Sequence, residues 1–203
     1  GVVLANNLLV GNAAGGIRYS GETNAFNEQQ AALPFGRIVN NTVFGNGGGD
    51  VGIQLDENVT PTVLNNIVAN LGTGIDVDAL SGTSIFGANL YSQNTVAASG
   101  INTPSGFGDF DRNLDSPTEL NKALFRDPAN RNFYLATGSV AIDSAIQALQ
   151  DRDDFRRVKD AMGIAPSPIL APENDVTGQQ RRDDPTVEPP FGFGTDIFID
   201  RGA

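Results

Sequence analysis

The sequence predicts an all-β fold, a single-stranded parallel β-helix solenoid, on the strength of three observations. First, similar blocks occur near the N-terminus at 2–20, 37–56 and 62–78. Second, each block contains an Asn pair, a short apolar run, a glycine turn and a Gly-Ile-x-apolar segment. Third, apolar residues alternate with small or polar residues within a block, which indicates short strands. Stacked coils of this kind bury each other's apolar rows, which no single coil could bury alone.

The second Asn of each pair sets the repeat length. Asn7, Asn41 and Asn66 are separated by 34 and then 25 residues. The extra length lies in a polar stretch at 21–36, which we predict to be a loop inserted into the first coil. The underlying coil is then about 22 to 25 residues, a length typical of solenoids. A fourth, weaker copy is predicted at 87–94.

The Asn pairs are expected at the corners between strands. Asn tolerates the left-handed backbone region better than other non-glycine residues, and its amide can bond to the backbone or to an Asn of the next coil. We therefore predict that the Asn column forms a corner and a ladder, with a structural rather than a ligand-binding role. The same alignment predicts two interior columns, one of Ile17, Ile53 and Ile75 and one of Tyr19, Leu55 and Val77.

The repeat disappears after about residue 105, where most of the Lys, Arg and Pro residues lie. We therefore divide the chain into β-helix coils at 1–104 and an irregular capping region with an extended tail at 105–203. A cap is needed because the last coil would otherwise expose its strand edges and apolar interior. The apolar residues of 125–135 and 141–146 are the expected cover, and short helices are predicted over 144–150 and 152–162.

Motifs in the C-terminal half resemble those of a known group of proteins. The segment 125–145 contains F-R-D-P, F-Y-L and G-S-V-A-I-D, and the segment 175–203 contains D-V-T-G-Q-Q-R and D-R-G-A. Together they resemble the closing motifs that follow right-handed β-helix repeats in large repetitive bacterial secreted and cell-surface proteins, which are adhesin-like. The resemblance implies a right-handed β-helix, an extracellular or cell-surface location, and a structural or adhesive role. The same coils and caps are attached to many activities, so it says little about chemistry.

The composition bears on the class of partner. The formal net charge is −11 and the sequence pI is about 4.2, which argues against nucleic acid, because phosphate binding needs clustered Lys and Arg. No run of about 18 apolar residues is present, so no membrane span is predicted in this chain. Cysteine is absent, which fits an extracellular and a cytosolic protein equally. Because Gly1 falls inside a repeat, we expect the chain to be a fragment of a longer protein.

Stacking the copies also brings carboxylates together. If Ile53 lies over Ile75, then Asp56 lies over Asp78 at about 4.8 Å, and Asp76 faces outward on the same strand as Asp78. Three like charges in one patch repel each other. A hard cation would relieve the repulsion, so we predict Asp56, Asp76 and Asp78 as metal ligands and Ca²⁺ as the candidate cofactor. A raised pKa of the kind used by acid catalysts, and simple screening by solvent, stay open as alternatives.

Two other segments carry candidate binding residues. Phe26 and Phe35 lie in the inserted loop, where exposed aromatic side chains could contact a partner. Asp109 and Asp111 form a second candidate site for an oxygen-liganded cation, although the spacing of an EF-hand is absent.

Many carbohydrate-cleaving enzymes use a β-helix, so an enzymatic function has to be weighed. The chain has no His, and the motifs of polygalacturonase-like enzymes are missing from the repeats. A pectate-lyase-like site needs a basic residue beside its Ca²⁺ ligands, and Arg18 is predicted two coils away from Asp76. No catalytic residue is predicted.

We therefore predict a structural or adhesive element of a bacterial surface protein, stiffened by Ca²⁺. Its expected partners are polysaccharide, other surface proteins, or further copies of the chain in a fibre. The alternative is a polysaccharide lyase or hydrolase, or a carbohydrate-binding relative of one.

Overall fold

The computed structural model describes residues 2–21, 35–108, 110–115, 122–146, 148–149, 163, 169–182, 184–187 and 200–203. Over this part the chain is all-β, and its main body is three stacked parallel sheets. The first sheet contains β1 (Val2–Ala5), β4 (Gly36–Val39), β7 (Thr62–Leu64) and β10 (Ile85–Gly87). The second contains β2 (Leu8–Val10), β5 (Thr42–Phe44), β8 (Ile67–Ala69), β11 (Leu90–Ser92) and β13 (Arg112–Asn113). The third contains β3 (Ile17–Tyr19), β6 (Val51–Leu55), β9 (Thr73–Val77) and β12 (Val96–Ser99).

Every repeat contributes one strand to each sheet, and we call three such successive strands a coil. The register pairs Ile17 with Ile53 and Ile53 with Ile75, which confirms the first predicted interior column. The second predicted column is confirmed in the same way by the pairing of Tyr19, Leu55 and Val77.

The predicted fourth copy at 87–94 forms a coil. Its strands β10, β11 and β12 pair in parallel with β7, β8 and β9 of the third coil. One further strand, β13, pairs with β11, so the parallel stacking continues beyond the boundary predicted at residue 104.

The space between the three sheets is filled by one apolar core. Burying each large aliphatic side chain there contributes about 1.5 to 3 kcal/mol, so the stacking of coils is the main source of stability. The largest fully buried apolar members of this core are Ile38, Ile53, Leu55, Val59, Val63, Val68, Ile75 and Tyr91.

The C-terminal half packs on the side of the stack. β14 (Phe125–Asp127) and β15 (Asn132–Leu135) form an antiparallel hairpin. Phe125 and Phe133 meet Phe44 edge to face, with ring centroids 6.0 and 5.2 Å away. Phe44 follows Val43, which belongs to the core between the sheets, so successive side chains of β5 point to opposite faces. The structure thus places the apolar residues of 125–135 on the outer face of the second sheet, not over the last coil.

Residues 101–108 cover the end of the last coil instead. Ile101 and Phe107 pack into the core, and the ring of Phe107 lies edge to face with Tyr91 at 5.3 Å. Gly108 passes so close to Phe86 that a Cβ at this position would fall 2.4 Å from the Phe86 backbone. Only glycine lets the covering segment approach β10, the last strand of the first sheet, at this distance.

The prediction of a helix over 144–150 is wrong for its C-terminal part. β16 (Ala148–Leu149) is a strand that pairs antiparallel with β17 (Ile169–Leu170). Short apolar runs fit both helical and strand periods, and here a partner far along the chain decides between them. The helix predicted over 152–162 lies outside the described residues. Within them, the helical elements are single 3₁₀ turns at Ala79–Ser81 and Pro128–Asn130.

Candidate functional site

The second asparagine of each pair forms a ladder of hydrogen bonds along the stack, as predicted. Asn7 Nδ2 donates to Asn41 Oδ1 at 2.8 Å, and Asn41 Nδ2 donates to Asn66 Oδ1 at 2.9 Å. Asn66 Nδ2 in turn donates to Asn89 Oδ1 at 3.0 Å. The backbone N–H of each donor residue bonds to the same oxygen. Since Asn41, Asn66 and Asn89 are fully buried, the ladder replaces the water that these amides lose on folding.

Asp111 terminates this ladder. The N–H and Nδ2 of Asn89 donate to Asp111 Oδ1 at 2.7 and 3.2 Å, and Tyr91 Oη and the Gly108 N–H donate to its Oδ2 at 2.8 and 2.9 Å. A carboxylate only accepts hydrogen bonds, which suits a last position that has no further acceptor for an amide to reach. Burial raises the pKa of Asp111, and these hydrogen bonds oppose the rise. Asp111 is thus engaged within the fold, whereas Asp109 lies outside the described residues.

The first asparagine of each pair turns the corner and binds the C-terminal half. Asn6, Asn40 and Asn65 have left-handed backbones, with φ of 56°, 52° and 58°. Asn40 Nδ2 donates to the Asp200 carbonyl at 3.0 Å. Asn65 donates to the carbonyl of Ile146 and accepts from its N–H, both at 2.8 Å. These side chains form an outward-facing row to which distant backbone attaches.

Three segments lie along this row of corner asparagines: 141–146, 174–181 and 200–203. We call them together the closing strap. Its last residues cross from coil to coil. The Gly202 N–H donates to the carbonyl of Asn65 in the third coil at 2.8 Å, and the Ala203 N–H donates to Thr42 Oγ1 in the second coil at 3.0 Å. The strap therefore runs across the strands and ties successive coils together.

Arg201 is the buried anchor of the closing strap, with 3% of its surface exposed. Its guanidinium donates to the carbonyls of Ser144, Asn89 and Phe110 at 3.0, 3.1 and 3.2 Å. Burial lowers the pKa of Arg201 to about 10, and the carboxylate of Asp111 opposes that change. The side chain stays charged at neutral pH and joins the strap to the fourth coil beside the end of the ladder.

Asp56, Asp76 and Asp78 line one concavity of about 480 Å³, together with Arg18. We call it the acidic concavity. Asp56 Oδ2 accepts hydrogen bonds from Ser20 Oγ and from Arg18 Nε, the latter at 2.7 Å. The Ser20 hydrogen bond, followed by the hydrogen bond and positive charge of Arg18, lowers the pKa of Asp56 below its usual value.

The other two carboxylates also accept hydrogen bonds from the fold. Ser99 Oγ donates to Asp76 Oδ1 at 2.6 Å. The Leu80 N–H donates to Asp78 Oδ1 at 2.8 Å, which caps the 3₁₀ turn at Ala79–Ser81. In the part of the chain that the structure describes, no group of three or more His, Cys, Asp or Glu side chains is arranged to hold a metal ion. The Ca²⁺ site at Asp56, Asp76 and Asp78 stays a prediction.

A larger cleft of about 620 Å³ lies between the β14–β15 hairpin and the closing strap. We call it the arginine cleft, because Arg126, Arg131, Arg181 and Arg182 line it, beside Tyr134. Sequence reasoning missed this site. The sequence feature that could have indicated it is the concentration of basic residues after residue 105. The cleft itself forms where two distant segments pack against each other, and no local sequence pattern predicts such packing.

The inserted loop contributes little that can be described. Phe35 is 42% exposed, as expected of a contact residue, and Phe26 lies outside the described residues.

Comparison of the chain with protein-family models, curated proteins and solved structures found no match. None of the helices in the described ranges is long and apolar enough to cross a membrane. Function therefore has to be argued from the chain's own geometry.

Proposed function

We propose that the chain is a segment of a right-handed parallel β-helix that serves as a structural or adhesive element of a bacterial extracellular or cell-surface protein. The three parallel sheets with one strand per coil support the architecture. The repeats and the closing motifs support the setting. In this proposal the coils form a rigid spacer, and the partners are polysaccharide, other surface proteins or further copies of the chain.

The observation that carries this proposal is the direction of the polar contacts. The ladder from Asn7 to Asp111 bonds each coil to the next, and the closing strap crosses from the fourth coil to the second. Both sets of hydrogen bonds oppose the separation of coils along the stack. A spacer under tension needs resistance in that direction.

Force spectroscopy tests the proposal. We expect the chain, pulled through handles at the exposed Val3 of the first coil and Val96 of the fourth, to unfold in one cooperative step, and we expect a variant with Asn41→Ala and Asn66→Ala to unfold at a clearly lower force. Both side chains donate to the next coil and to a backbone carbonyl, so their loss weakens contacts along the pulling direction. Equal unfolding forces for the two proteins would contradict a load-bearing function.

A polysaccharide lyase or hydrolase, or a carbohydrate-binding relative, is the second candidate. The acidic concavity favours it, because carboxylates and Arg18 lie together there. This candidate predicts new reducing or unsaturated ends when the purified chain is incubated with polygalacturonate or alginate, and loss of that activity in Asp76→Asn. The predicted Ca²⁺ site is tested separately, by whether Ca²⁺ raises the melting temperature of the wild type but not of Asp76→Asn.

A further inference from the structure

The arginine cleft contains cations that the fold does not use. Within the described residues, no hydrogen bond or ion pair engages the guanidinium of Arg131 or Arg182, and both residues are exposed. Arg126 donates one hydrogen bond, from Nε to the carbonyl of Leu135 at 3.3 Å. Arg181, by contrast, holds the strap through the carbonyls of Asp200 and Gly202 and the Asn6 side chain. The guanidinium groups of Arg126, Arg131 and Arg182 are therefore available to a ligand in the cleft.

The backbone presents Arg131 at a fixed position. It follows the 3₁₀ turn Pro128–Asn130, which Asp127 caps by accepting a hydrogen bond from the N–H of Asn130 at 3.3 Å. Arg131 itself has φ of 60°, a left-handed conformation that is unfavourable for residues with a Cβ. The turn therefore aims a charged residue where glycine or asparagine would fit the backbone better.

Acceptors also line the cleft, so it is not a simple anion site. Asp175 and Asp184 contribute carboxylates, and Gln179 and Gln180 contribute side-chain amides that both donate and accept. Asp175 Oδ1 is held by Thr177 and the Gln179 N–H, which fixes the direction of that carboxylate. A ligand that fills this cleft well must carry hydroxyl donors as well as acidic groups.

An exposed aromatic ring completes the set. Tyr134 lines the cleft with 51% of its surface exposed, next to the arginines of the hairpin. A tyrosine ring offers an apolar face with a polar edge, which suits the face of a sugar ring. The cleft volume of about 620 Å³ falls within the ordinary range for small-ligand sites.

We infer that the arginine cleft binds an acidic sugar of a polysaccharide, a uronate unit. Arg131 and Arg182 receive the carboxylate, the Asp175 and Asp184 carboxylates and the two glutamines receive hydroxyl groups, and the sugar ring lies on Tyr134. This inference extends the proposed function, because it gives a structural element its adhesive contact. It does not involve the acidic concavity.

Affinity electrophoresis and calorimetry of the full chain test the inference. The probes are polygalacturonate, alginate and hyaluronan, which carry uronates. Two control polymers separate the contributions: methyl-esterified polygalacturonate keeps the sugars and loses the charge, and polyglutamate keeps the charge and loses the sugars. We expect at least one uronate polymer to bind, both controls to bind at least about tenfold more weakly, and binding to weaken as salt rises.

Three variants locate the site. Arg131→Asn keeps a residue that tolerates a left-handed backbone, so it is expected to fold normally, and Arg182→Gln changes an exposed side chain. Each should weaken binding by about tenfold or more, since a charge-assisted hydrogen bond is lost. Tyr134→Leu should also weaken binding. Lys122→Gln, which makes the same charge change at an exposed residue that lines neither the cleft nor the acidic concavity, should leave binding unchanged.

The outcomes separate this inference from the proposed function. Absence of binding to all three uronate polymers overturns the inference and leaves the load-bearing test untouched. Equal binding of polyglutamate, or equal loss of binding in Lys122→Gln, also overturns it, because general charge would then explain the attraction. Cleavage of a polymer overturns the structural function instead.

Discussion

The two asparagines of each corner pair have different roles. The second one lies inside the stack and bonds to its counterpart in the next coil. The first has a left-handed backbone and faces the closing strap, while Asn65 Nδ2 also donates to Asn40 Oδ1 at 3.2 Å. In the fourth coil Ala88 takes the first position, with φ of 51°. The sequence predicted the corner and the ladder because both follow from Asn chemistry. It could not assign the outer row, whose partners lie far along the chain.

Asp111→Asn tests whether the ladder needs an acceptor at its end. The new amide would place an NH₂ group against a neighbouring donor, either Asn89 or the pair formed by Tyr91 and Gly108. We expect the free energy of unfolding to fall by about 1 to 3 kcal/mol, the cost of leaving buried polar groups unsatisfied. Chemical denaturation measures this change. Unchanged stability would show that Asp111 does not act as the terminal acceptor.

The pKa of Asp56 predicts a pH dependence of stability. Because Ser20 and Arg18 lower this pKa below the usual 3.8, the carboxylate stabilises the fold above that value, and the contribution is lost as pH falls through the folded pKa. Asp56→Asn should therefore be less stable than wild type at neutral pH, by less than about 1 kcal/mol, and the two should converge in acid. Urea unfolding across pH measures this.

Ser20→Ala is the matched control for that experiment. It removes the largest cause of the lowered pKa and keeps the charge, so it should show a smaller loss of stability in acid than wild type. A difference between wild type and Asp56→Asn that stays constant at every pH would contradict the assignment.

At the scale of elements, local patterns predicted the strands of the coils but not the packing of the C-terminal half. The alternation around Ile53 and Ile75 specifies which face of a strand is buried, and their column follows directly. The side chains of Phe125 and Phe133 carry no such information, since an exposed coil end and the outer face around Phe44 are both apolar. The arginine cleft escaped prediction for the same reason.

Asn65→Gly tests the closing strap as an element. Glycine accepts the left-handed backbone at this position, so the substitution removes the bonds to Ile146, and the one to Asn40 Oδ1, without adding strain. We expect the amide of Ile146 to lose protection in hydrogen exchange and the stability to fall by about 1 to 3 kcal/mol. Amides of the buried strand β8 should stay protected. Unchanged exchange at Ile146 would show that the corner row does not hold the strap.

At the scale of the whole molecule, Arg201 joins parts that are otherwise separate. The core between the sheets and the apolar cluster around Phe44 and Phe125 lie on opposite faces of the second sheet. Arg201 bonds to the fourth coil at Asn89, to Phe110 just after the segment that covers the end of the stack, and to the strap at Ser144. One buried cation thus connects the stack, its end and its side.

Arg201→Met and Arg201→Lys test this connection. Methionine fills the space but leaves three carbonyls without their donor and the nearby carboxylate of Asp111 without its opposite charge, so we expect a loss of about 3 to 5 kcal/mol. Lysine keeps the charge but cannot form the planar fork of bonds, so it should rescue only part of the loss. Thermal and chemical unfolding measure the three stabilities, which we expect to decrease from wild type to Arg201→Lys to Arg201→Met. Arg18→Met, at an exposed side chain, should cost less than about 1 kcal/mol.

The path of the closing strap has a consequence for how the chain is made. Arg201, Gly202 and Ala203 attach in turn to the fourth, third and second coils, and these three coils precede the attaching residues in the chain. Its attachment points exist only when neighbouring coils are already in register. A coil that slipped by one residue would turn its Asn side chain away from the corner. The closing strap therefore attaches only to coils that have already stacked in the correct register.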